Sequence, residues 1–250
     1  MIAAVGLSKS FHDARRGLVP AVVDVDFECR PGEVFGLLGG NGAGKTTTLR
    51  MLATILKPTA GTATVGGCDV QTDPAGVRRR LGFLSANTGL YDRMTAWEHV
   101  EYFAKLHGLN GAVLGERMHR TFAALRMFDF RDQLVARLST GMRQKVSIAR
   151  ALVHDPPALV FDEPTLGLDV LVARSVIDAV ERLRDEGKSI LYSTHYLREA
   201  ERLCQRIGIL HRGRMLDQGT LPELLDRHGA KDLEALFFGL VDAADGTRSW

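Results

Sequence analysis

Residues 39–48 read GGNGAGKTTT and lie directly between the apolar run at residues 34–38 and a helical pattern. Strand, glycine loop and helix start therefore follow one another without a spacer. The spacing of Gly39, Gly44, Lys45 and Thr46 fits GxxxxGK[ST], in which each residue type has a physical task. Glycines let consecutive backbone N–H groups converge on an anion where a Cβ would block the approach. The helix beginning near Gly44 aims the positive end of its dipole at the same point. Lys45 is then expected to reach β- and γ-phosphates, and the Thr46 hydroxyl to ligate Mg²⁺. Four fixed positions match by chance in about 1% of chains of this length, and the flanking strand and helix make a mere flexible turn a poorer account still.

With 250 residues, 45% of them hydrophobic, the chain can bury a substantial core. The formal net charge of +2 implies neither nucleic-acid nor anionic-membrane binding, and the compact basic run Arg78–Arg80 reads as a solvated helix end. Cys29, Cys68 and Cys204 are isolated and odd in number, without metal-ligand spacing, as expected of a reducing, intracellular protein. No apolar run approaches the roughly 18 residues of a membrane span, and the first 13 residues lack the apolar region of a signal peptide. The chain is thus expected not to cross a membrane by itself.

In residues 21–28, Val23, Val25 and Phe27 alternate with acids, predicting a strand with one buried face; residues 2–8 are its expected partner, and residues 13–20 read as a polar loop. Leu49, Leu52, Ala53 and Leu56 fall at helical spacing up to Pro58, and residues 62–70 predict a tight hairpin about Gly66 and Gly67. Thr95 and Glu98 form a capping-box pattern that opens a helical subdomain over about residues 91–151, whose aromatics Trp97, Phe103, Phe122 and Phe128 and whose Met127 are expected in its core. Alternating strands and helices return from residue 158, with Thr220 and Glu223 capping a later helix. Such alternation implies a parallel sheet with ligands at the carboxyl ends of its strands.

Asp162 and Glu163 end the apolar strand at residues 158–161. Two acids there could merely cap a strand; they also fit a carboxylate serving Mg²⁺ followed by one that polarises the attacking water. LSTGMRQK at residues 138–145 precedes them, PTLGLD at residues 164–169 follows, and His195 stands after the next strand. In this order the motifs resemble the ATPase subunit of ABC transporters over nearly the whole chain.

That resemblance implies an α/β fold: a P-loop NTPase (RecA-like) core, an antiparallel β subdomain and an ABC-specific helical subdomain, with the ATPase domain at residues 1–230 and a tail at residues 231–250. It implies ATP and Mg²⁺ as cofactors. Phe11 would stack on adenine, the alternative being a packed core aromatic. Gly39, Gly40, Asn41, Gly42, Ala43, Gly44, Lys45, Thr46 and Thr47 would hold the phosphates, with Thr46 and Asp162 serving the metal. Glu163 would be the general base, and His195 would contact the γ-phosphate and orient the water, the alternative being a surface histidine. Ser139 and Gly141 match the signature that binds the nucleotide of the opposite subunit, and Asp169 the loop linking the two sites. The implied partners are an integral membrane permease and a second ATPase subunit, in a homodimer, at the cytoplasmic side of the cell membrane. No nucleic acid is implied, and the competing function is an ABC ATPase acting on nucleic acid or ribosomes. The heptad insertion or second ATPase unit such proteins carry is missing from the sequence.

Three departures stand out. Thr140 and Met142 interrupt the usual LSGGQ, a proline is common where Gly40 stands, and the glutamine usual near Ala86 is replaced in a stretch where only Asn87 is similar. Residues 85–96, SANTGLYDRMTA, resemble the ATPase subunits of sodium exporters, and the closing DLEALFFGL resembles the ending of bacterial exporter subunits. With no long regulatory segment of the kind many sugar importers carry, the expectation is export, with sodium as the cargo.

Overall fold

A computed structural model of the chain describes residues 1–15, 17–85 and 89–246. The first two strands, β1 (Ile2–Asp13) and β2 (Gly17–Cys29), pair antiparallel. The alternation is interrupted: Leu7 faces Val25 and Lys9 faces Val22, so β2 carries an extra residue there, and Asp24 sits at a φ of 51°. This bulge turns Val22, rather than the expected Val23, into the core beside Val25 and Phe27. Of the stretch expected as a polar loop, residues 13 and 17–20 continue the ribbon, with Phe11 opposite Val19 and Asp13 opposite Gly17. Cross-strand backbone bonds need no buried side chains, and Pro20 is tolerated because β2 is an edge strand.

β3 (Val34–Leu38) is buried at every position, as a strand covered on both faces must be. After α1 (Lys45–Leu52) the chain returns to the first sheet through β4 (Ala60–Val65) and β5 (Cys68–Asp69), giving the order β2-β1-β4-β5. The hairpin between them turns on Gly66 and Gly67, both at positive φ, as a two-residue turn of this hand requires. Asp73 caps α2 (Pro74–Arg80), so the basic run does end a helix. The short β6 (Leu81–Leu84) that follows, too brief to show periodicity, was not foreseen.

Among the described residues, three α-helices then lie between β6 and the next strand: α3 (Ala96–Leu106), α4 (Gly111–Ala124) and α5 (Thr140–Leu152). The capping box is formed, with Glu98 N–H donating to Thr95 Oγ1 at 3.1 Å and Thr95 N–H to Glu98 Oε2 at 2.8 Å. Phe122 is fully buried, its ring 4.8 Å from that of Trp97. The remaining elements are β7 (Ala158–Asp162), α6 (Val170–Asp185), β8 (Ser189–Thr194), α7 (Leu197–Leu203), β9 (Arg206–His211), β10 (Arg214–Gly219), α8 (Leu221–His228) and α9 (Leu233–Asp245). They complete a second sheet in the order β10-β9-β3-β8-β7-β6, parallel except for β10. The closing helix is not detached: Leu233 and Leu236 share a core with Leu38, Ala200, Ile209 and Leu224. No described helix is long and apolar enough to cross a membrane, and the three cysteines are free thiols.

Among the described residues, one buried titratable group lies in the helical layer. His99 is 0% exposed, its Nδ1 accepting from Tyr91 N–H at 3.4 Å, and burial pushes its pKa down to about 4. Between that value and the unfolded value of about 6.5, the unfolded chain binds more protons than the folded one. Stability is therefore complete above that window and falls as pH drops through it, by about 1.4 kcal/mol per pH unit from this group. Urea unfolding at pH 7 and pH 5 is expected to show the loss, with a shallower slope in His99→Asn, which cannot titrate.

Candidate nucleotide site

The parallel register brings three strand ends together. Leu38 lies opposite Thr194, and Asp162 opposite Ser193, so the glycine loop after β3, the two acids at the end of β7 and His195 after β8 share one edge. The loop is shaped by close approach. Gly44 has a φ of 106°, and a Cβ there would meet Ala21 O at 2.7 Å; a Cβ on Gly39 would meet Leu210 O at 2.4 Å. Gly40 has open space around it, so no close contact requires glycine there. α1 has neither a side-chain cap nor an acid in its first turn, so its leading N–H groups remain for an anion. They face an opening of about 170 Å³ lined by Ala21, residues 40–47 and Glu163.

Lys45 is 5% exposed. Its Nζ donates to Gly39 O at 2.5 Å and Gly40 O at 3.1 Å, and lies 3.1 Å from Glu163 Oε1. Glu163 Oε2 is in turn 3.1 Å from His195 Nδ1, close enough for an ion pair but without the alignment of a hydrogen bond. The backbone of Glu163 sits in the left-handed region, at a φ of 49°. For a residue with a Cβ this is sparsely populated, and such strain persists only where the surroundings over-determine it. Here Glu163 N–H is held by both the carbonyl and the hydroxyl of Ser193, each at 3.1 Å. Asp162, 2% exposed, accepts from Thr46 Oγ1 at 3.2 Å and Ser193 Oγ at 2.8 Å. Ser193 was not foreseen as a site residue; its only sequence signal is its place two residues before His195.

Other expected residues lie elsewhere. Ser139 and Gly141 do not line the opening. Ser139 caps α5, its Oγ accepting from Met142 N–H at 3.3 Å, which leaves the hydroxyl proton free to donate outward. A Cβ on Gly141 would meet Val172 at 2.7 Å. Phe11 is 41% exposed with Lys9 Nζ 5.4 Å from its ring centre, so it is not a packed core aromatic. Asp169 caps α6 through the N–H groups of Leu171 and Val172, each at 3.0 Å. Asn87 lies outside the described residues.

A family model described as ABC transporter matches residues 22–166, spanning both the glycine loop and the acid pair. The chain belongs to the ABC transporter family. It is 42% identical over 238 residues to the ABC transporter ATP-binding protein NatA of Bacillus subtilis, covering 95% of this chain and 96% of the relative. It is 37% identical over 243 residues to the daunorubicin/doxorubicin resistance ATP-binding protein DrrA of Streptomyces peucetius, covering 97% and 72%. Among solved structures, a dimeric ATP-binding cassette, MJ0796, in a post-hydrolysis state bound to ADP and Pi, superposes with a TM-score of 0.80 at 25% identity, covering 88% of this chain and 99% of that one. The expected P-loop NTPase fold is thus the observed one, and this ABC protein is an ATP-binding subunit and an ATPase.

An anion entering the cradle would compete with Glu163 for the Lys45 ammonium, and charge-assisted bonds of that kind are strong. Lys45→Ala is expected to weaken ATP binding by about ten- to a hundredfold. Titration with a fluorescent ATP analogue tests this, and unchanged affinity overturns the role of Lys45.

Proposed function

We propose that this subunit powers export from the cytoplasmic side of a cell membrane, paired with a second copy of itself and joined to a separate integral membrane permease. The observation that carries the chemistry is the chain of contacts Lys45–Glu163–His195 at the mouth of the phosphate loop. In this reading residues 39–47 bind the triphosphate and Lys45 contacts its terminal phosphates. Release from Lys45 leaves Glu163 to accept a proton from the attacking water, while His195 orients that water and contacts the γ-phosphate. Phe11, exposed on its ribbon, stacks on adenine.

Thr46 and Asp162 offer a hydroxyl and a carboxylate oxygen 3.2 Å apart, a donor set of the hard kind that Mg²⁺ takes, and these two residues would hold it. When bound, Mg²⁺ neutralises charge on the β- and γ-phosphates.

Ser139 and Gly141, remote from the opening of their own chain, serve the nucleotide of the second copy. Support for such an interface comes from Val170 and Leu171, 83% and 79% exposed immediately after Asp169. Support for a permease comes from a second groove, of about 510 Å³, where the apolar Ile55, Phe83 and Phe103 are set among Arg50, Arg78 and Arg150. That mixture suits an apolar segment carrying acids. The drug-resistance relative supports export, and residues 85–96 support sodium as the cargo.

Glu163→Gln is expected to bind ATP, slow turnover by about 10²–10⁴-fold and accumulate as a dimer in size-exclusion chromatography with ATP. An unchanged hydrolysis rate overturns the base assignment. Pull-down from native membranes is expected to recover a polytopic protein, whereas ribosomes or nucleic acid overturn the transport reading. In proteoliposomes holding that complex, ATP-dependent sodium flux is expected; flux of an organic compound without sodium overturns the cargo alone.

A further inference from the structure

A second carboxylate, outside the phosphate loop, gathers the segments that carry the reacting groups. Glu199 lies in the first turn of α7, partly buried. Its Oε1 accepts from Thr165 Oγ1 at 2.6 Å, and its Oε2 accepts from Tyr192 Oη at 3.1 Å and Thr194 Oγ1 at 3.0 Å. The three donors are 4%, 0% and 1% exposed, so water offers them little alternative. Burial and the charge of Glu199 both push the Tyr192 phenol pKa up, which keeps Tyr192 a donor.

The positions of these donors matter. Thr165 is two residues after Glu163, on the loop that leads to Asp169. Thr194 immediately precedes His195, and its Oγ1 also accepts from Tyr196 N–H at 2.9 Å, so the turn bearing His195 is pinned on both sides. On the far side of the loop, Gln144 Nε2 of α5 donates to Pro164 O at 2.5 Å. The loop after Glu163 is therefore gripped by the helix that Ser139 caps and by Glu199.

We infer that Glu199 is a positioning residue for ATP hydrolysis, its carboxylate locking the Thr165 loop to the Thr194 turn and so setting Glu163 and His195 against each other. This rests on the roles given above to Glu163 and His195. Both oxygens are used: an amide keeps one accepting oxygen, and on its NH2 side a hydroxyl would have to reverse its role and give up a charge-assisted bond, so one side of the clasp is weakened whichever way the amide is turned. Misplacement of reacting groups by as little as an ångström slows chemistry without weakening binding at a distant phosphate cradle.

The test measures ATP hydrolysis by the full chain, with kcat and KM separated and kcat expressed per ATP-binding site. Glu199→Gln is expected to lower kcat about tenfold while leaving KM for ATP within about twofold. Thr165→Val should lower kcat in the same way, with Thr165→Ser restoring it. The double variant Thr165→Val/Glu199→Gln should be no slower than Glu199→Gln alone, because the clasp joins the two segments only while both of its sides hold, and either change already opens it. A kcat per site unchanged in Glu199→Gln, whatever its melting temperature, overturns the inference, as do additive effects in the double variant. Glu163→Gln in the same assay separates the two claims: if it retains turnover, the base assignment fails, whereas slow Glu163→Gln beside fast Glu199→Gln leaves the base standing and removes only the clasp.

Discussion

The buried ammonium of Lys45 is the constraint to which the polar side of the molecule answers. A cation 5% exposed must be paired, and here it is paired with two loop carbonyls and one carboxylate. The carbonyls can reach it only because Gly39 and Gly44 let the loop fold back on the sheet, with Leu210 O and Ala21 O filling the space that side chains would take. The carboxylate can reach it only because Glu163 accepts a left-handed backbone, held there by Ser193. Loop, strand ends and strained residue form one arrangement, and a phosphate is an anion of the right charge to replace the carboxylate in it.

That arrangement is carried by a layered core. One cluster joins the antiparallel sheet to α1 and one face of the parallel sheet, through Ile2, Leu7, Phe27, Phe35, Leu49 and Leu191. Another fills the opposite face and the helical layer, with Val34, Phe122, Val146, Phe161 and Tyr192. β3 contributes to both, Phe35 on one side and Val34 on the other, which is why its whole length is apolar. The polar residues of the site appear where these strands end, since only there does the backbone emerge from apolar packing.

Much of this could be read from the sequence. The glycine loop between strand and helix, the capping boxes at Thr95 and Thr220, the glycine hairpin and the strand ending in Asp162 and Glu163 all rest on residues within a few positions of each other. The elements that escaped were short or irregular: β6 has four residues, and the bulge at Asp24 moved Val22 inward against the apparent alternation. The ribbon at residues 17–20 reads as a loop in the sequence because composition reports burial, and an exposed two-stranded ladder buries little. Phe11 could have been a core aromatic or an exposed one on sequence grounds; its place on that ribbon made it exposed.

By itself the sequence determined where a glycine loop joins a strand to a helix start, where other helices start, and which acids stand at a strand end, because those properties depend on contacts between near neighbours in the chain. Only the tertiary structure decided which side chains meet across the sheet: Ser193 on Asp162, Gln144 on the Pro164 carbonyl, and Thr165, Tyr192 and Thr194 on one carboxylate. The reason is the register of the parallel strands. It sets residues as far apart as Thr46 and Asp162, 116 positions in sequence, within hydrogen-bonding distance, and no local pattern encodes that meeting.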